Sequence, residues 1–388
     1  MFLYFPTNYM WSLAVLRTLA AGGIFGEVDW VCQHLKEAAK VGGRGDIDAW
    51  VESWTKLGDQ VYGIGAKAAK TGHSETAAGA FQRAAVYYQW AEGFLVPSDK
   101  RATEIFAKHL DAFANFARLH SPRIEIVDIP FENSHLKTYF VPARGVTGRA
   151  PAVLLSGGFD GTKEEMCFVA TALSARGVHC IAVDQPGQGA TLRINGLPAR
   201  YDSEVAATTV FNWLAGRHDV DKERVGILAA SLGGYYAPRA AAFEKRFKAC
   251  VAWCVIYDYH AVWLRRLSFP EGRPIVMKSD APFGTVSEQA LGIFGAKTWE
   301  EALKTLEKFK LDGIAEKIKC DLLVVHGSED RQTPVEGAER LYREAGSKNK
   351  EIWIRTPAEG GAAHVSLDRP EPDGSLICDW ISDRLHAG

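Results

Sequence analysis

The stretch Gly226-Ile-Leu-Ala-Ala-Ser231-Leu-Gly-Gly234 decides how the chain folds. A short apolar run ends abruptly in a serine, and small residues flank it: Ala229, Ala230, Gly233 and Gly234. Apolar runs of this length, bounded by glycine, read as buried strands, and Ser231 opens a helix after this one. A serine between such a strand and helix sits on a sharp bend. Side chains two positions away on either side would collide with the flanking elements, so they must be small. Ser231 is the expected nucleophile. The stretch departs from G-x-S-x-G by one methyl group, at Ala229. The backbone N–H of Leu232, at the start of the helix, is expected to face a developing oxyanion. A serine that merely caps a helix in a tight turn is the alternative for this stretch alone.

Two further loops bear on that choice. Leu322-Leu-Val-Val-His-Gly-Ser-Glu-Asp330 is a buried strand running into a polar loop, and Pro357-Ala-Glu-Gly-Gly-Ala-Ala-His364 is a small-residue loop ending in histidine. Serine, acid and histidine, each on a loop after a different strand and in that chain order, form the pattern of an α/β-hydrolase. His364 would take the Ser231 proton, and Asp330 would hold the imidazole in its tautomer. Glu329 competes for the acid role, and His326, at the end of its strand, reads as structural. The loop after Ala152-Val-Leu-Leu-Ser156 is Gly157-Gly-Phe-Asp160-Gly. Its glycines let backbone approach a substrate oxygen, so Gly158 or Phe159 is the expected second oxyanion donor. Asp184-Gln-Pro-Gly-Gln-Gly189 reads as a tight structural turn.

Outward from these loops the chain has two textures. From about residue 10 to 120 apolar residues recur at three-to-four spacing, as in Ile47-Asp-Ala-Trp-Val-Glu-Ser-Trp and Thr76-Ala-Ala-Gly-Ala-Phe-Gln-Arg, which predicts helices. Asp46 and Ser74 are expected N-caps, with a break at Gly42–Gly45. After Ser121-Pro122 the pattern becomes two alternating strands, then continuous apolar strands separated by helices, the mark of a parallel sheet covered on both faces. The expectation is therefore an N-terminal all-helical cap domain over 1–121 and a mostly parallel, doubly wound catalytic domain over 122–388. A helical excursion at about 259–317 interrupts the catalytic domain like part of a lid. Aromatic residues of the helical part (Tyr9, Trp11, Trp30, Trp50, Trp54, Tyr87, Tyr88, Trp90) and of the excursion's entry (Trp253, Tyr257, Tyr259, Trp263) either wall an apolar pocket or pack helices.

With 388 residues, 47% hydrophobic and 24% charged, the chain has material for a large core. A formal charge of −2 without a basic run gives no reason to expect a nucleic-acid partner. The apolar start is broken by Arg17 and lacks a basic leader region, so a cytoplasmic protein with no membrane partner is expected. The 7 cysteines are odd in number and form no metal-binding spacing, which predicts reduced, buried thiols, no metal and no cofactor.

Gly157-Gly-Phe-Asp-Gly-Thr-Lys-Glu-Glu165, Asp184-Gln-Pro-Gly-Gln-Gly189, Ala230-Ser-Leu-Gly-Gly-Tyr-Tyr236 and His326-Gly-Ser-Glu-Asp330 resemble the α/β-hydrolase family of 2,6-dihydroxypseudooxynicotine hydrolase and fungal polyketide-shortening hydrolases. The resemblance implies cleavage of a carbon–carbon bond beside a carbonyl in an aryl ketone or polyketide-like small molecule, and a homodimer. It also implies an acidic residue near the oxyanion loop, which matches Asp160. The nicotine-degrading member is expected to carry Glu there, one methylene longer, and Asp160 could instead cap a helix or pair with Lys163. Two other functions are compatible with the same residues: an ester or lactone hydrolase, and a catalytically silent binding module.

Overall fold

At Ser121-Pro122 the helical period gives way to strands. The computed structural model describes residues 1–278 and 287–386. The chain divides into two compact units, Met1–Glu125 with the described part of Ser279–Ala290, and Ile126–Lys278 with the described part of Leu291–Gly388.

The first unit holds α1 (Tyr9–Ala20), α2 (Phe25–His34), α3 (Ile47–Lys70), α4 (Ser74–Glu92) and α5 (Lys100–Leu119). Side chains cap three of these starts: Asn8 accepts from the Trp11 N–H at 3.0 Å, Asp46 from the Ala49 N–H at 3.1 Å and Asp99 from the Arg101 N–H at 2.9 Å. Ser74 is no cap. It is the first residue of α4, because Gly72 leaves α3 with φ +79° and the His73 N–H turns back to the Ala68 carbonyl. Trp50, Trp54 and Tyr87 are fully buried, and the rings pack in series at tilted angles, with centroids 4.6 Å apart for Trp11–Trp50, 5.2 Å for Trp50–Trp54 and 5.9 Å for Trp54–Tyr87. These aromatic residues are the helical core, whereas Trp30 is exposed.

The second unit is built on β1 (Glu125–Phe131), β2 (Ser134–Val141), β3 (Ala150–Ser156), β4 (His179–Val183), β5 (Val220–Ala230), β6 (Ala249–Trp253), β7 (Leu267–Ser268), β8 (Val276–Met277), β9 (Asp321–Gly327) and β10 (Lys350–Arg355). Eight of them form one sheet in the order β1-β2-β4-β3-β5-β6-β9-β10, and β7 pairs with β8 apart from it. β2 runs antiparallel to β4, while β4, β3, β5, β6, β9 and β10 are mutually parallel. Every residue of β3, β4 and β6 is buried, as strands covered on both faces must be.

The helices of this unit are α6 (Lys163–Ser174), α7 (Gly189–Arg193), α8 (Glu204–Ala215), α9 (Gly233–Phe243), α10 (Tyr259–Arg266), α11 (Ser287–Phe294), α12 (Trp299–Leu306), α13 (Val335–Glu344) and α14 (Pro370–His386), the first residues of α11 belonging to the helical unit. The excursion between β6 and β9 contains α10, the β7–β8 pair, α11 and α12; its residues 279–286 lie outside the described residues. The chain places β4 on one side of β3 and then crosses back to lay β5 on the other. Winding reverses there, so a crevice opens beyond the carboxyl ends of β3 and β5. Among the described residues no helix is long and apolar enough to cross a membrane. All seven cysteines are free thiols, six of them buried.

One buried ionic cluster lies at this edge. Lys163, 3% exposed, places Nζ 3.0 Å from Asp184 Oδ2 and 2.7 Å from Glu164 Oε1, and Tyr139 donates to the same Glu164 oxygen at 2.7 Å. Burial alone would lower the Lys163 pKa, but the two carboxylates outweigh it and keep the ammonium charged. Lys163→Met leaves two carboxylates in the interior without their cation. It should lower the unfolding free energy by about 3–5 kcal/mol in urea titration, and a loss below about 1 kcal/mol would contradict the cluster's role.

Candidate active site

Ser231 follows β5 directly and adopts φ +62°, a left-handed conformation that costs a non-glycine residue energy. Backbone bonds hold the bend: the Ser231 N–H donates to the Trp253 carbonyl at 2.8 Å, and the Gly234 N–H to the Ser231 carbonyl at 2.7 Å. Crowding explains the small neighbours. A Cβ at Gly234 would lie 2.2 Å from the Cys254 carbonyl oxygen, and one at Gly233 2.6 Å from the Ala229 Cβ. The extra methyl of Ala229 fits because Gly233 leaves that space empty.

His364 lies beyond β10 and bridges the other two expected residues. Its Nε2 is 2.8 Å from Ser231 Oγ and its Nδ1 is 2.7 Å from Asp330 Oδ2. Asp330, rather than the neighbouring Glu329, meets the ring. The Asp330 carboxylate also accepts from the Gln332 N–H at 2.7 Å, the Thr333 N–H at 3.0 Å and the Thr333 hydroxyl at 2.8 Å. Burial would push the Asp330 carboxyl up, but the charge and hydrogen bond of His364, His326 and the Thr333 N–H together hold it well below the usual carboxylate range. It is thus ionised and aimed at Nδ1, which leaves Nε2 free to accept a proton from Ser231. His326 accepts from the Val255 N–H at 3.1 Å through Nδ1, and its Nε2 meets the Thr333 carbonyl at 3.2 Å. Burial lowers its pKa, so it serves as a neutral strut under the acid loop.

Sequence spacing gives no sign of the groups that hold His364 in place. The Asp368 carboxylate accepts three backbone N–H groups of the loop before it, from Gly361 at 2.9 Å, Ala362 at 3.2 Å and Ala363 at 2.8 Å. A loop of small residues exposes donors that need an acceptor, which is the one clue the sequence offers. Beyond it, the Val365 N–H donates to the Cys254 Sγ at 3.0 Å. Cys254 Sγ, an Asp330 oxygen and a His364 nitrogen all lie within 4.8 Å of one another, a spacing a metal ion could use. The thiol is deeply buried and burial raises its pKa, with the Asp330 charge adding to the effect, so it is a protonated neighbour at neutral pH rather than a ready thiolate ligand. The Asp330 oxygens are already committed to the donors above.

The loop after β3 runs against the serine. A Cβ on Gly158 would be 2.8 Å from Ser231 Cβ and 2.9 Å from Oγ, so only glycine permits this approach. The N–H groups of Gly158, Phe159 and Leu232 are the donors expected near an oxyanion, Leu232 as the residue just before α9. The Phe159 ring is buried among Trp263, Phe294 and Tyr259, at centroid distances of 5.4, 5.3 and 6.2 Å. Asp160 is exposed on this loop. It neither caps α6, whose preceding residue is Thr162, nor joins the Lys163 pairs, which go to Glu164 and Asp184. Its charge reaches Tyr259, whose pKa is raised first by burial and further by Asp160.

A depressed folded-state pKa makes Asp330 stabilising above its unfolded value near pH 4, and this contribution is lost as pH falls through the native value. In denaturant titrations below about pH 4, wild-type stability should fall with acidification more steeply than that of Asp330→Asn, by up to about 1.4 kcal/mol per pH unit. Equal slopes would contradict the linkage.

Known proteins share this architecture. The model of the esterase FrsA-like family matches residues 38–270, and that of the prolyl oligopeptidase family matches 206–371. The hydrolase acrC of Aspergillus aculeatus is 29% identical over 99% of this chain and 98% of its own length. The 20-hydroxy-prefusarin hydrolase FUS2 of Gibberella moniliformis is 28% identical over 89% of this chain and 90% of its own. A solved structure of 2,6-dihydroxy-pseudo-oxynicotine hydrolase shares the fold, with a TM-score of 0.81 over 96% of both chains at 22% identity. Since the first family model spans more than half of the sequence, the chain belongs to the esterase FrsA-like family and is an α/β-hydrolase.

Proposed function

We propose that the protein is a cofactor-independent serine hydrolase that cleaves a carbon–carbon bond beside a carbonyl in an aryl ketone or polyketide-like small molecule. The observation carrying this reading is the hydrogen-bonded series from Ser231 Oγ through His364 to Asp330, with steps of 2.8 and 2.7 Å, beside the Gly158 loop. In this mechanism His364 Nε2 takes the Ser231 proton while Oγ attacks the substrate carbonyl. The oxyanion is met by the N–H groups of Leu232 and of Gly158 or Phe159. Collapse breaks the bond to carbon, and the leaving carbanion, delocalised by its own conjugation, takes the proton that His364 accepted from Ser231, with Asp160 orienting the substrate for that transfer. Water, activated by His364, then releases the acyl group from Ser231. The substrate class rests on the resemblance of the loops and on relatives named for a prefusarin and a pseudo-oxynicotine compound.

A second reading has its own support in the family model, whose description is an esterase. Ester or lactone cleavage uses the same groups, but the leaving oxygen needs no carbanion stabilisation and makes no demand on Asp160. A homodimer and a cytoplasmic location complete the proposal as it follows from the sequence.

Ser231→Ala should cut turnover at least about 1,000-fold with an unchanged melting temperature, and near-wild-type turnover would remove Ser231 from the mechanism. Asp160→Asn separates the two chemistries. It should slow cleavage of a β-diketone-type substrate about 10- to 100-fold and change p-nitrophenyl ester hydrolysis by less than about twofold. Equal effects on both would remove the role of Asp160. Good turnover of esters with none of β-diketones would favour the esterase.

A further inference from the structure

The turn Asp184-Gln-Pro-Gly-Gln-Gly189 does more than connect β4 to α7. Gln188, 2% exposed, sits just before α7. Its side-chain Nε2 donates to the carbonyl oxygens of two consecutive residues in the loop after β3, Gly157 at 2.8 Å and Gly158 at 2.6 Å. Its Oε1 accepts the Gln185 N–H at 3.0 Å. That bond fixes the amide's orientation, since rotating it by 180° would set oxygen against both carbonyls and nitrogen against a donor.

The consequence follows from peptide geometry. In a trans peptide the C=O and the following N–H point in opposite directions. Drawing the Gly157 and Gly158 carbonyls toward Gln188 turns the N–H groups of Gly158 and Phe159 away from it. The same segment lies against Ser231, where a Cβ on Gly158 would be 2.9 Å from Oγ. Two more constraints keep the segment from rotating back. Asp184 accepts the Lys163 N–H at 2.7 Å, closing the far end of the loop, and the Ala190 N–H at 2.8 Å, locking the start of α7 to the same carboxylate. The Phe159 ring, buried against Trp263, resists rotation of the same segment.

We propose that Gln188 is a positioning residue that aims the second oxyanion donor at Ser231 by holding the two carbonyls behind it. This rests on the reading of Ser231 as nucleophile. An amide suits the task because one nitrogen offers two donors and no charge. A glutamate would repel both carbonyls, and a methionine would fill the space but take the amide donor from both, leaving the Gly158 carbonyl only the longer bond from the Gly161 N–H at 3.3 Å.

The test needs no knowledge of the natural substrate. The full-length protein is treated with a rhodamine fluorophosphonate, whose phosphorus takes the Ser231 oxygen, expels fluoride and develops negative oxygen where a tetrahedral intermediate would. Gln188→Met and Gln188→Glu should lower the maximal labelling rate about 10- to 100-fold while the half-saturating probe concentration stays within about twofold, with the glutamate variant the slower. Folding is checked by melting temperature. Wild-type rates in folded Gln188→Met overturn the proposal, as does loss of fold in both variants, which would make Gln188 a purely structural residue. A parallel rise in half-saturation, with the maximal rate unchanged, would assign it to ground-state binding and also overturn it. If the wild type is not labelled under conditions that label a known esterase, the nucleophile reading fails and this one with it. If the wild type is labelled and Ser231→Ala is not, failure at Gln188 is failure of the present inference alone.

Discussion

Everything at the site depends on a bend that admits no side chains where the backbone crosses itself. Ser231 must turn left-handed at φ +62° for its hydroxyl to leave the sheet. Gly234 must then pass within van der Waals range of the Cys254 carbonyl, and Gly158 within range of the serine itself. A strained residue persists only where its surroundings leave it no alternative. Here these are the bond from the Ser231 N–H to the Trp253 carbonyl and the parallel register of β5 on β6. The sheet stabilises the bend, and the bend presents the hydroxyl.

The loops that face the serine are held by carboxylates, the half-buried Asp368 and the buried Asp330 and Asp184 side chains, and each accepts several donors. Asp368 gathers three N–H groups before His364; Asp330 accepts from two N–H groups, a hydroxyl and the imidazole; Asp184 holds the starts of two helices. Carboxylates suit this work because one group accepts several donors with good geometry. Cys254 and His326 fill in behind them as neutral neighbours, the thiol held protonated by burial and the imidazole kept uncharged by it. Little near the serine is left to rotate freely.

The adjacency of Ser231, Asp330 and His364 was legible in the sequence because each follows its own apolar strand, and parallel strands deliver their carboxyl-terminal loops to one edge. The small residues at 233 and 234 were legible for the same steric reason. Gln188 and Cys254 were not, since each bonds the backbone of a loop distant in sequence, and Asp368 was not, since no spacing marks which N–H groups of the preceding loop a carboxylate will accept. The Asp184 turn therefore read as connection alone. Ser74 misled because a serine before a helical run normally caps it, whereas Gly72 let the preceding residue turn back first. The tryptophans of the helical part carried no label distinguishing core from pocket, and for Trp11, Trp50 and Trp54 burial against one another's rings places them in the core.

The excursion between β6 and β9 begins and ends on strands that are hydrogen-bonded neighbours, with Trp253 opposite Val325. Because the strands are parallel, its ends lie at opposite ends of the pair, Trp253 at the carboxyl end of β6 and Asp321 beside Ala249 at the amino end of β9, and the register fixes both. For a segment closed in that way, doubling the length adds only about 0.6 kcal/mol of closure entropy. Closure entropy therefore sets little limit on the length of this stretch, provided that Tyr259, Trp263 and Phe294 keep their packing on Phe159, and Ser231 and His364 stay where the strands put them. Variation in length can accumulate in the excursion without disturbing the register on which the hydroxyl and imidazole depend.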